Sequence, residues 1–446
     1  MNDIKVGLLG LGTIGTGVAR ILIEQQALMS RRLGKNILLV AAADRDLDRD
    51  RGLDFAGVRL TDDANDIVTA DDIDLVVELI GGYEPARSFV ATALEHGKHV
   101  VTANKALVAK HGEELFPLAA EKDVAVGFEA AVGGGIPCLK ALREGCAANA
   151  VQSVYGILNG TCNFILTKME NEGADYVDVL KEAQELGYAE ADPTFDVEGI
   201  DTAHKLSILA AMAYGSRIRF DEVFTEGISK ITADDIESAA ELGYRIKLLG
   251  IAKPHGEKGE VKQVEMRVHP TLVPAHSQLA QVSDSYNAVQ VSGDFVEHTM
   301  YFGRGAGERP TASAVVADIM DIARVCSSDG GADGVAHLAP PMGFVESERR
   351  DLGTLPVADI ECEYYLRLMV KDEPGVIASV TSILADHRIS LEAMSQKERS
   401  EANSVPVVML THETTEGNLQ AAISRITGLK AVEDDVLILR KESAVA

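Results

Sequence analysis

The strongest constraint on the fold lies in the first fifteen residues, where an apolar run enters a glycine-rich turn and then a helical pattern. Ile4 to Leu9 is the apolar run, and Gly10-Leu11-Gly12-Thr13-Ile14-Gly15 is the turn. A strand, GxGxxG and a helix in this order let the pyrophosphate of a dinucleotide approach a helix N-terminus closely. The motif alone is weak evidence, but its placement between a strand and a helix strengthens it. The predicted cofactor contacts are Gly10, Gly12, Thr13, Ile14 and Gly15.

A second apolar run, from Ile37 to Ala43, ends in Asp44 and Arg45. An acidic residue at this position binds the ribose hydroxyls of NAD, whereas an arginine holds the 2′-phosphate of NADP. The two neighbours favour different cofactors, so the sequence leaves the choice between NAD and NADP open. The spacing from Gly15 to Asp44 is longer than the usual ~20 residues. We interpret the segment from Gln25 to Asn36 as an extended helix end or an insertion.

Two further strands are predicted from Leu75 to Ile80 and from His99 to Val101, with a helix from Arg87 to Glu95 between them. Alternating strands and helices indicate a parallel, doubly wound α/β sheet that binds ligands at the carboxyl ends of its strands. Lys105 follows one such end. Most lysines after a strand are solvated surface charges. Lys105 is nevertheless a candidate, because this edge is expected to face the nicotinamide.

Length, charge and cysteine usage narrow the class of protein. A chain of 446 residues is expected to form two or three domains. Its formal net charge of −27 argues against nucleic acid and anionic membranes as partners, so a small molecule is the expected ligand. Five cysteines without paired spacing are expected to be free thiols in a reducing compartment. Without a signal-peptide pattern or an apolar run near ~20 residues, we expect a cytoplasmic protein.

Two turns in the middle of the chain are candidate ligand loops. Glu129 precedes the three consecutive glycines 133–135, whose carbonyl groups, with the carboxylate, can coordinate a hard cation. An ordinary tight loop is the alternative. The second turn, Asn159-Gly160-Thr161, follows a predicted strand from Val151 to Leu158. Thr161 is expected to cap the next helix, and the turn can equally present polar groups to a ligand.

The segment from Gly187 to Ala211 concentrates carboxylates and one lysine around the start of a predicted helix. Its acidic residues are Glu190, Asp192, Asp196, Glu198 and Asp201. Lys205 lies one helical turn after Asp201, so both share one face of a helix that we expect to be amphipathic, with one buried side. An exposed ion pair of this kind contributes only about 0.3–0.5 kcal/mol. A solvated helix start is therefore the alternative to a reactive site.

The remainder of the chain is expected to add a second sheet and a separate tail. Strands are predicted over Val261 to Val268, Ala288 to Val296 and Glu297 to Phe302, and a helix over Thr311 to Val325. From Tyr364 onward the predicted order of elements is βαββαβ, which is typical of the ferredoxin-like class. The expected division is 1–130 for the nucleotide, with the helix near 305–326 packing back on it, then 131–328, a linker over 329–360, and 361–446.

Seven motifs in order carry a resemblance to a known family. They are GLLGLGTIGTGV, TANKALVA, FEAAVGGGIP, ILNGTCNFIL, GYAEADPTFDVEGIDTAHKL, GRGAGERPTASAVVADI and DEPGVIASVTSIL. The chain resembles the homoserine dehydrogenases over essentially its whole length, in the longer form whose tail is similar to an ACT amino-acid-binding domain. The resemblance implies a Rossmann-type doubly wound sheet, an α+β catalytic and dimerisation domain, and a ferredoxin-like βαββαβ ACT domain.

The resemblance also implies a function. Members interconvert L-aspartate 4-semialdehyde and L-homoserine with NAD or NADP, a step towards threonine, methionine and isoleucine. The ACT domain implies feedback inhibition by threonine, and the glycine-rich loop implies a sodium-type monovalent cation. We further expect a homodimer or homotetramer.

The resemblance assigns roles to individual positions. Lys205 and Lys105 are similar to the family's catalytic lysines, with Asp201 close to Lys205. The implied substrate-binding residues are Glu190, Asp196, Thr161, Gly160 and Tyr188. The implied cation ligands are Glu129 and the backbone of Val132, Gly134 and Ile136. The implied cofactor contacts add Asp44, Arg45, Lys105 and Gly307 to the glycine turn.

The charges that the reaction requires agree with these roles. Hydride transfer to an aldehyde builds negative charge on its oxygen, which a fixed ammonium stabilises and protonates. The α-ammonium of the substrate requires carboxylates, which the acidic segment supplies. Two alternatives remain: another Rossmann enzyme that acts on an amino-acid aldehyde or imine, and an amino-acid sensor whose nucleotide fold is a relic.

Overall fold

The computed structural model describes residues 3–257, 260–326, 338–396 and 404–443. The chain divides into two compact units, each built from three separate segments. The first unit contains the described residues of Met1–Val154, His204–Asp221 and Asn287–Leu352, and the second those of Tyr155–Ala203, Glu222–Tyr286 and Gly353–Ala446. The strand Val151–Ile157 and the helix Ile200–Tyr214 each begin in one unit and continue in the other.

The first unit is organised around a parallel sheet. In spatial order its strands are Arg59–Thr61, Ile37–Ala43, Ile4–Leu9, Leu75–Glu78, His99–Thr102 and Val126–Gly127. All neighbouring pairs are parallel, so the predicted doubly wound sheet is confirmed. The order reverses between Ile4–Leu9 and Leu75–Glu78, and ligands of such sheets bind beside a reversal of this kind.

Helices cover this sheet and close its apolar core. They are Thr13–Glu24, Gln26–Leu33, Asn65–Val68, Ala86–Glu95, Lys105–Glu121 and Glu308–Val325. The segment expected to be a helix end or insertion is a short separate helix that ends at Gly34, whose φ is 73°. The helix Glu308–Val325 packs against Thr13–Glu24, and a Cβ added to Gly17 would lie 2.7 Å from Glu308. This unit also contains the strand Glu297–Arg304 and, except for Tyr286, the strand Tyr286–Gly293.

The second unit contains a long, mostly antiparallel sheet. In spatial order its strands are Tyr244–Glu257, Glu260–Pro274, Leu437–Lys441, Glu361–Lys371, Ser404–Thr411 and Leu391–Gln396. Its helices are Gly160–Glu172, Tyr176–Glu185, Thr194–Val197, Ala233–Glu241, Val376–Asp386 and Glu416–Thr427. From Glu361 onward the elements follow the predicted βαββαβ order, which is confirmed. One pair, Glu260–Pro274 with Leu437–Lys441, is parallel and joins this C-terminal segment to the rest of the sheet.

Several sequence predictions were wrong in detail. The strand Tyr244–Glu257 was not predicted, because Pro254 and Gly256 weaken a strand pattern. The strand predicted over Ala288 to Val296 is Tyr286–Gly293. The predicted linker over 329–360 lies partly outside the described residues.

Two predictions near the candidate site also need correction. The helix Ile200–Tyr214 is not amphipathic with one buried side, because its residues from Asp201 to Tyr214 are buried on all sides. Thr161 does not cap the helix Gly160–Glu172: the side chain of Asn159 accepts the capping hydrogen bond from the N–H of Cys162. An asparagine is as good a cap as a threonine, and it stands at the position where the backbone is still extended.

No helix in the described part of the chain is both long and apolar enough to cross a membrane. All five cysteines are free.

Candidate active site

A cavity of about 640 Å³ lies at the carboxyl ends of the parallel strands in the first unit. Its lining includes Gly10, Gly12, Asp44, Arg45, Ile80 and Gly81. These residues follow the three strands around the reversal of the sheet, which is where a doubly wound sheet binds a nucleotide. The structure thus brings together the glycine turn and the Asp44-Arg45 pair that the sequence predicted.

The glycines of the turn serve two different needs. Gly10 has a φ of 93°, and a Cβ on Gly15 would overlap the carbonyl oxygen of Gly10, so both are required by the turn itself. Gly12 caps the helix Thr13–Glu24, and no heavy atom lies within 4 Å of the position of an added Cβ. The space beside Gly12 is therefore open to a ligand at the helix N-terminus. A dinucleotide pyrophosphate fits such a place, because the first N–H groups of the helix point towards it.

Asp44 is held against the glycine turn. Its carboxylate accepts a hydrogen bond of 2.6 Å from the N–H of Leu11 and lies 3.3 Å from the guanidinium of Arg51. Arg51 also donates to the carbonyl oxygen of Leu11 at 3.1 Å. Arg45 is exposed and lines the cavity. The sequence reasoning missed Arg51, because its contact depends on the return of the chain 40 positions after Leu11.

Lys105 begins the helix Lys105–Glu121 at the carboxyl edge of the sheet, where it is half-buried. The residue before it, Asn104, caps this helix by accepting from the N–H of Leu107, and donates to the carbonyl oxygen of Gly82 at 2.7 Å. The N–H of Asn104 in turn donates to the hydroxyl of Thr102. These bonds fix the backbone that carries Lys105.

Beneath this edge lies a buried carboxylate, Glu78. It accepts from the N–H groups of Ile80 and Gly81 at 2.8 and 3.0 Å, and from the hydroxyl of Thr102 at 2.6 Å. One buried side chain thus orders the ends of two neighbouring strands. No motif in the sequence signalled this role.

The predicted cation loop is also in the first unit. Each carboxylate oxygen of Glu129 accepts one backbone hydrogen bond of 2.9 Å, from Leu139 and from Lys140. Burial, followed by the nearby charge of Asp318, raises the pKa of Glu129 to about 7. A Cβ on Gly134 would overlap the carbonyl group of Gly305, so the triple glycine permits close backbone packing at this point.

The other members of the predicted cation and cofactor sets are placed nearby in the chain. Val132 and Ile136 are buried in the same loop as Glu129 and Gly134, and Gly307 caps the helix Glu308–Val325 with a φ of 110°. Within the described residues, no group of three or more His, Cys, Asp or Glu side chains is arranged to hold a metal ion.

In the second unit, Asn159 joins two of the predicted acidic residues. Its amide nitrogen donates to Asp196 at 2.7 Å and to Asp201 at 2.9 Å, while its oxygen caps the helix Gly160–Glu172. A single cap thus sets the positions of two carboxylates that are five residues apart. The sequence marked the turn but did not predict this role for Asn159.

The other predicted substrate residues lie along the same turn and the segment after it. The hydroxyl of Thr161, next to Gly160, donates to the carbonyl oxygen of Tyr188 at 2.7 Å. The ring centroid of Tyr188 lies 4.8 Å from that of Phe164, and Tyr188 is exposed. Glu190 is exposed, and its backbone carbonyl accepts a hydrogen bond from a glutamine side chain.

The helix Ile200–Tyr214 carries Asp201 and Lys205, which are 3% and 8% exposed. Burying a carboxylate and an ammonium is costly unless charges or hydrogen bonds compensate. Their burial one turn apart therefore excludes the solvated helix start that was the alternative.

Next to Lys205, His204 was not singled out by the sequence. Its Nε2 lies 3.2 Å from the hydroxyl of Tyr83, and its ring stacks on Phe220 with 3.9 Å between centroids. Tyr83 belongs to the loop that follows the strand Leu75–Glu78 and contributes Gly81 to the cavity. His204 therefore connects the lysine-bearing helix to the loop at the edge of the cavity.

Comparison with known proteins gives a consistent result. Residues 10–129 match the NAD-binding domain of homoserine dehydrogenase, residues 137–320 match homoserine dehydrogenase, and residues 364–431 match the ACT domain. The homoserine dehydrogenase of Neisseria gonorrhoeae is 47% identical over 443 residues, with 99% of both chains covered. That of Pseudomonas aeruginosa is 48% identical over the same length and coverage.

Solved structures agree. A homoserine dehydrogenase from Thiobacillus denitrificans is 50% identical, has a TM-score of 0.92, and the match covers 100% of this chain and 99% of that chain. A hyperthermophilic archaeal homoserine dehydrogenase in complex with NADPH is 26% identical with a TM-score of 0.60, and the match covers 72% of this chain and 97% of that chain. The fold class predicted from the sequence is confirmed. The glycine turn, the two lysines and the acidic segment thus stand in a chain that belongs to the homoserine dehydrogenase family of NAD(P)-dependent oxidoreductases.

Proposed function

We propose that this chain interconverts L-aspartate 4-semialdehyde and L-homoserine with a nicotinamide cofactor. Lys205 donates the proton in one direction and accepts it in the other. The observation that carries the proposal is the burial of Lys205 one turn after a buried Asp201. A buried ammonium is a strong electrostatic partner for an oxygen that gains negative charge, because little water screens it.

The bound cofactor supplies or accepts the hydride. Lys205 donates a proton to the carbonyl oxygen during reduction and takes it back from the hydroxyl during oxidation. Asp201, one helical turn before Lys205, supplies a negative charge on the same helix. Lys105, held at the carboxyl edge of the sheet by the bonds of Asn104, contributes a second positive charge to the reacting end.

The anchoring end of the substrate is bound by carboxylates. Glu190 and Asp196 bind the α-ammonium, because an ammonium buried away from water requires anionic partners. The substrate also contacts Gly160, Thr161 and Tyr188. Asn159 positions Asp196 and Asp201 through its two hydrogen bonds.

The cofactor is bound by the glycine turn, with contacts from Gly10, Gly12, Thr13, Ile14, Gly15, Asp44, Arg45, Lys105 and Gly307. Because the carboxylate of Asp44 is engaged by Leu11 and Arg51, the exposed Arg45 at the cavity favours the 2′-phosphate of NADP. Arg45→Gln is expected to raise the KM for NADP about tenfold, the typical effect of losing one charge-assisted contact, and to leave the KM for NAD nearly unchanged. An equal change for both cofactors would contradict this preference.

Further features belong to the proposal. The Glu129 carboxylate and the backbone carbonyls of Val132, Gly134 and Ile136 would hold a monovalent cation of the sodium type. Threonine inhibits the enzyme through the ACT domain. The domains are 1–130, 131–328 and 361–446, joined by a linker at 329–360, with 305–326 packing on the first. The enzyme works in the cytoplasm as a homodimer or homotetramer, in the biosynthesis of threonine, methionine and isoleucine.

The test is an initial-rate assay with L-homoserine and each of NAD and NADP, with and without L-threonine. We expect turnover of homoserine and little turnover of other amino alcohols. A faster reaction with another amino-acid aldehyde or imine would show that this other compound is the substrate. Absence of turnover together with tight amino-acid binding would favour the sensor.

A further inference from the structure

The carboxylate of Glu78 lies at the end of the strand Leu75–Glu78, where the chain enters the wall of the cofactor cavity. Glu78 is 0% exposed. Glutamate is almost never fully buried, because removing its charge from water is costly. Departures of this kind are concentrated at functional sites. Glu78 is not among the cofactor or substrate contacts proposed above.

Glu78 takes part in a closed ring of hydrogen bonds with Thr102, Asn104 and the loop 80–82. One carboxylate oxygen accepts from the first two N–H groups of the loop, and the other accepts from the hydroxyl of Thr102. The oxygen of that hydroxyl accepts from the N–H of Asn104 at 2.9 Å. The amide nitrogen of Asn104 then donates to the carbonyl oxygen of the third loop residue at 2.7 Å, which closes the ring.

The ring has a single polarity, because a carboxylate only accepts hydrogen bonds. The hydroxyl of Thr102 therefore donates to Glu78, which leaves its oxygen to accept from Asn104. A glutamine at position 78 would present its NH₂ group either to two N–H groups or to this hydroxyl. Thr102 is 1% exposed, so a hydroxyl turned away from position 78 would have little water to bind. A carboxylate satisfies all three donors, and an amide of the same size does not.

The loop 80–82 forms part of the wall of the cofactor cavity. Two of its residues line the cavity, and Gly81 has a φ of 80°, a conformation that most side chains avoid. The residue before the loop packs against the glycine turn, because a Cβ on Gly10 would lie 2.9 Å from the carbonyl oxygen of Leu79. A displacement of the loop would therefore change both the cavity wall and the turn at which the pyrophosphate is expected.

The same loop is bonded to residues adjacent to both proposed catalytic lysines. Asn104, which donates to the loop, immediately precedes Lys105 and caps its helix. Tyr83 continues the loop, and its hydroxyl lies 3.2 Å from Nε2 of His204, the residue before Lys205. The cavity wall and the backbones that carry the two lysines thus depend on one loop.

We propose that Glu78 is a positioning residue for the dehydrogenase reaction. It holds the loop 80–82 and the start of the Lys105 helix in one fixed relation, so that a cofactor bound in the cavity and the ammonium of Lys105 meet the same substrate. Without this relation the cofactor binds more weakly and the reaction is slower, since small misplacements of positioned groups are costly in rate. The inference rests on the proposed function for the identity of the reaction, but not for the effect of Glu78 on cofactor binding.

The experiment compares variants of the ring with a matched control in the full-length enzyme. Glu78→Gln disrupts the polarity of the ring, Thr102→Val removes the hydroxyl and keeps the shape of the side chain, and Thr102→Ser keeps the hydroxyl. Glu95→Gln is the control, because Glu95 is an exposed glutamate of the same unit. Thr102→Val leaves the carboxylate and its two N–H partners in place, so it tests the inference even if Glu78→Gln does not fold.

Three properties are measured well below the melting temperature of each variant. They are the dissociation constant of NADPH by fluorescence titration, kcat and KM with L-homoserine and NADP, and hydrogen exchange of the loop amides without cofactor. Glu78→Gln and Thr102→Val are each expected to weaken NADPH binding and to lower kcat about tenfold, with faster exchange in the loop. Thr102→Ser and the control should match the wild type. The double variant with both losses should be little worse than the more affected single variant, because each breaks the same ring.

A merely structural role for Glu78 predicts a lower melting temperature, with unchanged NADPH affinity and unchanged kcat per folded molecule. That result would overturn the inference, as would a loss in Thr102→Ser equal to that in Thr102→Val, or losses that multiply in the double variant. If the wild-type enzyme does not oxidise L-homoserine, the proposed function is wrong. The NADPH titration and the hydrogen exchange then still decide whether Glu78 positions the loop.

Discussion

The glycine turn of the first unit and the Arg440 junction of the second unit both hold backbone segments in place, but they draw on very different stretches of sequence. The turn is built from Gly10, Gly12 and Gly15, within six positions, and needs only local sterics. The junction joins Glu226, Glu416 and Arg440, which are as far as 214 positions apart. A short sequence motif predicts local backbone geometry. It does not predict a cluster of charges whose residues are far apart in the chain.

The energetic consequences differ in the same way. A side chain added to a glycine of the turn causes steric overlap, which disturbs only the residues around it. A buried ion cluster fails by leaving a charge without compensation, which destabilises every element that the cluster connects. The predictions below test this difference.

Lys205→Ala is expected to have the largest effect, because it removes the proposed proton donor from the buried helix Ile200–Tyr214. Loss of a positioned acid and base lowers kcat by about 10²–10⁴-fold. Cofactor affinity, measured by nucleotide fluorescence titration, is expected to remain unchanged. Lys110→Ala, a lysine whose ion pair with Asp221 is largely solvated, is the control and should retain activity. Ordinary turnover in the Lys205 variant would refute the assignment.

Arg440→Met tests the long-range region directly. It leaves the carboxylate of Glu416 buried without its guanidinium, a loss of about 3–5 kcal/mol of unfolding free energy. The matched control is Arg425→Met in the same domain, where the partner Asp386 is exposed and the loss should stay below about 1 kcal/mol. Urea denaturation of both variants makes the comparison. Equal losses would show that burial of the Arg440 cluster is not what stabilises the junction.

Glu129 sharpens the comparison, because it lies in the first unit but depends on Asp318, far along the chain. Burial raises its pKa from 4.5 to about 7, so the folded state binds the proton more tightly than the unfolded state between these values. Stability should therefore fall as pH rises from about 4.5 to 7, by up to about 3 kcal/mol. Thermal melts across this range should show a smaller slope for Glu129→Gln and an unchanged slope for the exposed Glu144→Gln.

Two glycines of one turn provide the finest test of local sterics. Gly15→Ala would overlap the Gly10 carbonyl and should destabilise the protein by about 1–3 kcal/mol. Gly12→Ala meets no neighbour, so its melting temperature should match the wild type while its affinity for the cofactor falls. Calorimetric melting and nucleotide titration of both variants test these two expectations. Destabilisation by Gly12→Ala would show that this glycine also serves the fold.

Residue type and spacing marked the turn at Gly10 to Gly15, Asp44 with Arg45, and the acidic segment as candidate site residues. The structure places members of the first two groups at one cavity. The hydrogen bonds from Asn159 to Asp196 and Asp201 were not predicted. The position of a helix cap indicates which N–H group it binds, but not which distant carboxylates its amide nitrogen contacts.

Sequence alone was enough to predict the parallel nucleotide fold and the βαββαβ tail, because hydrophobic period and glycine spacing are properties of adjacent residues. The folded chain was needed to show that the helix Ile200–Tyr214 is buried on all sides, that Arg51 holds the glycine turn, and that Arg440 joins the ACT domain to the loop beside Glu198. Burial and charge pairing depend on segments that are distant in the chain, and no local pattern encodes which of them will meet.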